Sequence, residues 1–293
     1  DFCFVRNSSY LRACINSKTP TFYESHNNVL HPRFKLFDLF LRKMLIFSSK
    51  SSYLIKLISI SNTLKDYWIS QDVPKTKTLD LHSGFNTSEY ENHLSKSEAR
   101  ILTSLPIDTK IALYTGSLSE DRKIENILFL ANQNKDILFL VIGGSEKQIN
   151  YYQNLSNSQG LENIEFLGHI PHNMIPNYLF SADILLALWS SEVPTINFCS
   201  PLKVFEYMAA GRLILAHSFP TIKEILVDGL NAYLANPNDL NDLDKNFKQA
   251  LNDKNEKIIS NMARKDAFEK YSWSNRVDNI IQEFEKYKKT YNL

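Results

Sequence analysis

Short apolar runs alternating with amphipathic stretches occupy most of this chain, and that alternation limits what it can fold into. Nine runs read as strands: FCFV (2–5), TFYE (21–24), LIKLISIS (54–61), KTLDLH (77–82), KIALYTG (110–116), DILFLVIGG (136–144), NIEFLG (163–168), DILLAL (183–188) and RLILAHS (212–218). Helical periodicity fills the gaps. In IENILFLANQ (124–133), Ile124, Ile127, Leu128 and Ala131 share one face. Strands alternating with helices imply βαβ units and parallel sheets, an α/β fold. The 293 residues, 43% of them hydrophobic, suffice for two Rossmann-like domains with a sizeable core.

Residues 84–109 interrupt the rhythm with Gly84, Asn86, a mixed charge run and Pro106, and read as an inter-domain connection. The expected organisation is a first domain with its connection over 1–100 and a second over 101–272. A charged amphipathic helix over 273–293 is expected to pack back toward the first domain. The chain opens on Asp1 and runs at once into FCFV, which reads as a buried strand. A domain rarely opens in the middle of its sheet, so the first domain is expected to be N-terminally incomplete.

A net charge of +1 gives no global electrostatic reason to bind nucleic acid. Cys3, Cys14 and Cys199 are too few and too scattered for a disulfide framework or a zinc cluster, which favours a reducing, cytoplasmic setting. No apolar run is long enough to span a bilayer, and no signal peptide is visible. The basic, aromatic stretch RFKLFDLFLRKMLIF (33–47) admits two readings: a helix lying peripherally on an anionic inner membrane face, or one covering the first sheet.

In open α/β sheets, ligands bind at the carboxyl ends of the strands, so motifs there carry the most weight. The stretch SPLKVFEYMAAG (200–211) follows the strand 183–188 and a polar loop. Ser200 suits an N-cap and Pro201 a first helical position, with Leu202 next. A helix N-terminus attracts anions, and Lys203 places a full positive charge where the dipole alone disfavours one. A diphosphate resolves that conflict. Glu206, one turn on, could accept bonds from the vicinal hydroxyls of a ribose. The plainer alternative is a Lys203–Glu206 surface pair at i, i+3.

YTGSLSEDRKIEN (114–126) adds Gly116, which permits close backbone approach, with Ser117, and Arg122, whose fork suits phosphate. Taken alone, a solvated turn with mixed charges explains this stretch better. The paired glycines of VIGGSEK, Gly143 among them, match neither GxGxxG nor GxxxxGK[ST]. His26 follows the strand 21–24 and so faces a cleft. DLD (242–244) resembles a metal motif but lies in a polar helical stretch and reads as a solvated face, so no metal site is expected.

The ordered set ALYTGSLSEDRKIE, DILFLVIGG, NIEFLGHIPHNMIPNYLFSADILLAL, SPLKVFEYMAAGRLILA and PTIKEILVDGLNAYL resembles the donor domain of the retaining GT-B-fold glycosyltransferases of glycosyltransferase family 4. TPTFYESHN, LISISNTLKDYWISQDVP and LDLHSGFN resemble the second half of that family's first domain. The resemblance implies transfer from a nucleoside-diphosphate sugar to a sugar, lipid-linked or small-molecule acceptor, with no cofactor and no metal. Arg122 and Lys203 would hold the diphosphate and Glu206 the ribose. His26 would meet the donor sugar, and Gly168, His169 and Ile170 would edge the base. One departure is Phe198, which stands where the family often has the first of two glutamates. Two rival readings are a GT-B-fold sugar-nucleotide epimerase and an inactive nucleotide-sugar-binding fragment.

Overall fold

A computed structural model describes residues 1–292. The chain forms two compact units, each with its own parallel sheet. The first comprises Asp1–Ser83, Asn197–Ser200 and the chain from Trp273 onward. It runs β1 (Cys3–Val5), α1 (Ser8–Asn16), β2 (Thr21–Ser25), α2 (Lys35–Ser49), β3 (Leu54–Ser59), α3 (Asn62–Ser70) and β4 (Thr78–Asp80). Its four strands lie in the order β1-β2-β3-β4, all parallel.

Alternation along β2 and β3 splits their side chains between two cores. Tyr23 and Leu57 join Leu11, Leu45, Leu64 and Trp68 of the three helices on one face. Phe22, Ile55 and Ile58 meet Ile280 and Tyr287 of the C-terminal helix (Trp273–Tyr291) on the other. The one polar atom of Trp68 is satisfied, because its Nε1 donates to Ser25 Oγ at 2.8 Å. FCFV reads as a buried strand, but in β1 Cys3 and Val5 are half-buried and Phe4 is 40% exposed. Among the described residues it pairs with β2.

The second unit spans Gly84–Ile196 and Pro201–Ser272. Its elements are α4 (Lys96–Thr103), β5 (Lys110–Thr115), α5 (Glu125–Gln133), β6 (Ile137–Ile142), α6 (Glu146–Ser158), β7 (Ile164–Gly168), α7 (Ile175–Ser181), β8 (Ile184–Ala187), α8 (Leu202–Ala210), β9 (Leu213–His217), α9 (Pro220–Lys223), β10 (Tyr233–Ala235), α10 (Leu240–Asn252) and α11 (Glu256–Lys270). The six strands lie parallel in the order β10-β9-β8-β5-β6-β7. Helices cover both faces of such a sheet, which is why β6, β8 and β9 read as unbroken apolar runs.

Residues 84–109 are folded into this unit. A Ser95–Glu98 capping box starts α4, whose buried Arg100 donates to Ser181 O at 2.9 Å. Arg100 also pairs with Asp183 at 2.6 Å, and that carboxylate accepts from Ile111 N at 2.7 Å. Each of the nine apolar runs contains a strand, and a tenth, β10, is three residues long, too short for periodicity to reveal.

Candidate functional site

β5 and β8 are neighbours in the sheet, but the chain leaves them in opposite directions: β5 leads outward to β6 and β7, β8 to β9 and β10. Loops diverge at such a switch point and leave a crevice at the strands' carboxyl ends. Two glycines line it. Gly116 follows β5 with φ 144° and Gly143 follows β6 with φ 112°, a region that side chains rarely tolerate. A Cβ on Gly143 would lie 2.2 Å from Gly116 O, and one on Gly116 would lie 2.8 Å from Lys203 Nζ. The backbone can therefore pass close beneath the lysine only because both residues are glycine.

Lys203 is the second residue of α8. Its Nζ stands 4.0 Å from the Tyr114 ring centroid and 5.3 Å from that of Trp189. Among the described residues it forms no ion pair. Burial drops its pKa to about 7, Arg122 pushes the same way, and Glu206 opposes them only in part. Arg122 ends the turn Glu120–Arg122 and donates from Nε to Ser117 Oγ at 3.3 Å. Asp121 lies 3.8 Å from it. The cap residue of α8, Pro201, contributes no side-chain hydrogen bond. N–H groups without a side-chain cap, a desolvated ammonium and a neighbouring guanidinium thus lie at one end of α8, where partial and full positive charges add.

Glu206 sits one turn further along α8 and is half-buried. Burial raises its pKa and Glu89 adds to the rise, while His172 and Lys203 counter it. His172 lies between the two carboxylates, 3.7 Å from each. Glu206 lines a cavity with Gly116, Gly143, His169, Ile170 and Ile175, a mixture of apolar wall and hydrogen-bonding groups. Its carboxylate can accept from two adjacent hydroxyls. The Lys203–Glu206 surface pair is thus not what forms, since the lysine stacks on aromatic rings and the glutamate faces His172.

Residues 96–266 match the family of glycosyl transferases group 1. The chain belongs to that family. An uncharacterized glycosyltransferase of Methanocaldococcus jannaschii is 27% identical over 239 residues, 78% of this chain and 58% of that protein. The lipopolysaccharide 1,2-N-acetylglucosaminetransferase of Salmonella typhimurium is 27% identical over 249 residues, 80% of this chain and 62% of that protein. The chain thus spans about three fifths of the length of these relatives. HepE of Anabaena, solved with UDP and glucose, superposes with a TM-score of 0.74 at 18% identity, covering 97% of this chain and 77% of that one. Sucrose-phosphate synthase of Thermosynechococcus elongatus gives 0.74 at 16% identity, covering 97% and 72%. The fold is GT-B-like.

In this group 1 chain, the second unit gathers most of the residues singled out in sequence. Gly116, Ser117, Gly143, His169, Ile170 and Glu206 line one cavity, and Gly168 O accepts from Gly143 N at 2.7 Å. Pro201 is the N-cap of α8 and Leu202 its first residue. Ser200 was expected to cap this helix and does not. Its hydroxyl accepts from Ser83 N at 2.8 Å within the first unit, so it has a competing partner. His26 also belongs to the first unit, where its Nε2 bonds Glu24, itself 3.3 Å from Arg276. Burial works against ionisation of Glu24, but His26, Arg276 and Arg6 outweigh it and hold the carboxyl below its usual range. Phe198 is a packing residue of the first unit, 5.6 Å from the Tyr67 ring. Asp242 accepts from Asn236 N, and Asp244 pairs with Lys248 at 2.6 Å.

Three positioning residues escaped sequence reasoning. Tyr207 OH accepts from Thr115 N at 2.8 Å and lies 3.0 Å from Thr115 Oγ1, fixing the end of β5 to α8. His217 Nδ1 lies 2.7 Å from Trp189 O, and burial lowers its pKa to about 4, so it holds the Trp189 backbone as a neutral ring. Tyr114 provides the ring beneath Lys203 and donates to Ser117 O at 2.9 Å. All three sit in apolar runs, where an aromatic side chain reads as core. No local pattern separates them from ordinary packing.

Proposed function

We propose that the protein transfers a hexosyl group from a nucleoside-diphosphate sugar to an acceptor hydroxyl, with retention and without a metal ion. The observation that carries this reading is Lys203: a desolvated ammonium without a carboxylate partner, beside Arg122, at a glycine-lined switch point. The diphosphate supplies the missing charge. As the bond from the anomeric carbon to the diphosphate oxygen breaks, its electron pair passes to that oxygen. Lys203, Arg122 and the N–H groups of α8 stabilise the charge that grows there. The acceptor oxygen attacks the anomeric carbon from the same face, and its proton leaves to the departing phosphate.

Glu206 receives the ribose hydroxyls, and Gly168 to Ile170 edge the base. Pro201 and Leu202, at the start of α8, are assigned to the approach of the diphosphate. A uracil base is the first choice, because HepE, a structural neighbour, was solved with UDP-glucose. The acceptor is a sugar, a lipid-linked sugar or a small molecule. A thermal-shift screen of UDP, GDP, ADP and their hexose conjugates tests the reading. One diphosphate and its sugar should raise the melting temperature of the wild type and, at the same concentration, that of Lys203→Ala by far less. A protein stabilised by none of them would overturn it. Turnover of the sugar nucleotide with no acceptor present would favour an epimerase.

A further inference from the structure

A helix that packs on one side of a globular protein ordinarily turns polar side chains to water on the other. α2 does not. Leu41 and Leu45 point into the core of the first unit. On the opposite side, Leu36, Phe40 and Phe47 are 85%, 59% and 65% exposed. The spacing 36, 40, 43, 47 places these three and Lys43 on one stripe of the helix. The stripe is extended at its start by Phe34, whose ring stacks on His31, while Phe37 stacks on Phe40 at 6.3 Å. The helix is apolar on two faces, and the described residues of the first unit cover one of them.

The charges around the outer stripe are of one sign. Residues 33–50 contain Arg33, Lys35, Arg42, Lys43 and Lys50 against a single acid, Asp38. That acid is turned away: its carboxylate accepts from Leu30 N at 2.6 Å and His31 N at 2.9 Å and pairs with Arg42 at 3.0 Å. From the neighbouring α1, Arg12 places its guanidinium 4.9 Å over the Phe47 ring. The whole chain carries only +1, so this concentration of cations is local.

We propose that α2 lies on an anionic lipid surface, its outer stripe sunk to the level of the headgroups. Lys43 decides between lipid and protein as the occupant. Cores of protein interfaces are depleted of lysine, and a lysine in mid-stripe would be buried there without a partner. Against lipid, the same side chain lays its methylenes along the apolar stripe and raises its ammonium to the phosphates. The exposed phenylalanines supply the insertion, and the basic residues supply selectivity for negative charge.

Flotation of the purified protein with vesicles tests this. One set contains one part phosphatidylglycerol to two parts phosphatidylcholine, and the other phosphatidylcholine alone. The wild type should float with the mixed vesicles, bind the neutral ones at least about tenfold more weakly, and be released by added salt. Serine at Leu36, Phe40 and Phe47 together should abolish flotation. Lys43→Glu with Lys50→Glu should weaken it by at least about fivefold per position, the loss expected from removing each charge. Phe40→Trp keeps the apolar stripe, and its fluorescence should shift to the blue on mixed vesicles only. Wild type that stays with the unbound fraction, or that floats equally on neutral vesicles, would overturn the proposal. So would a concentration-dependent dimer abolished by the triple serine variant while lipid binding persists.

Discussion

Lys203 is held where a lysine is costly: its ammonium faces Tyr114 and Trp189 and lies near Arg122, and Glu206 offsets the cost only in part. Its proton is therefore bound weakly. In the unfolded chain the lysine keeps its ordinary value of 10.5, while in the folded protein it falls to about 7. Between these values the unfolded state binds more protons, so stability rises with pH across that window. Lys203→Met should melt higher than wild type at neutral pH and lose this part of the pH dependence, as followed by thermal melts. Diphosphate affinity should run the other way. It should fall as pH climbs above about 7, by up to about tenfold per pH unit, because ligand binding then requires proton uptake. Calorimetry separates the two charged residues of the helix. Losing a charge-assisted bond costs roughly 1.5–3 kcal/mol, one to two decades in affinity. Lys203→Ala should weaken UDP and slow transfer as well. Glu206→Ala should weaken uridine, with dideoxyribose analogues losing little more. Wild-type affinities in both variants would remove the nucleotide reading.

At the scale of elements, the site is a meeting of two strand ends with one helix. Gly116 and Gly143 set how closely the β5 and β6 loops approach, and Tyr207 fastens β5 to α8. Gly143→Ala would drive a Cβ to 2.2 Å from a backbone oxygen in a region of positive φ. Backbone cannot yield as a side chain can, so the substitution should cost at least about 2 kcal/mol in urea unfolding. Tyr207→Phe leaves the buried Thr115 N without its acceptor, a loss of about 1–3 kcal/mol. Nucleotide affinity should drop with it, since the Gly116 loop loses its tether. A Tyr207→Phe protein with unchanged stability and unchanged UDP affinity would show that the hydroxyl positions nothing.

For the whole molecule, the proposed use of cationic side chains at the leaving group predicts indifference to chelation. EDTA should leave transfer unchanged, and alanine at Asp242 and Asp244 should alter stability modestly and activity not at all. Loss of transfer in EDTA with rescue by manganese would overturn the assignment of Lys203 and Arg122. Hydrogen exchange locates the ligand without an acceptor. UDP should protect the segments after β5 and β6 and the first turns of α8 most strongly. Protection confined to the first unit would place the nucleotide elsewhere.

The α/β class was legible because a strand buried between two helical layers must be apolar along its length and a helix only on one face, so nine of ten strands announce themselves. Lys203, Glu206 and Gly116 stood out as candidates for a chemical reason: each departs from what packing alone would put there. Boundaries were less so. Ser200 has the chemistry of a cap, but Ser83 N takes its hydroxyl, and a competing partner distant in sequence leaves no local mark. The aromatic supports Tyr114, Trp189 and Tyr207 were hidden because a ring beneath an ammonium and a ring in a core obey the same hydrophobic pattern. Stretch 33–47 showed its basic and aromatic character in sequence, but only the packing of Leu41 and Leu45 revealed which aromatic residues are left outside. Sequence by itself determined the parts, because propensity and periodicity act over a few residues. Tertiary structure decided that β8 lies beside β5, and hence that a lysine, an arginine and two glycines from separate loops meet. Strand order depends on long-range pairing, which no local pattern encodes.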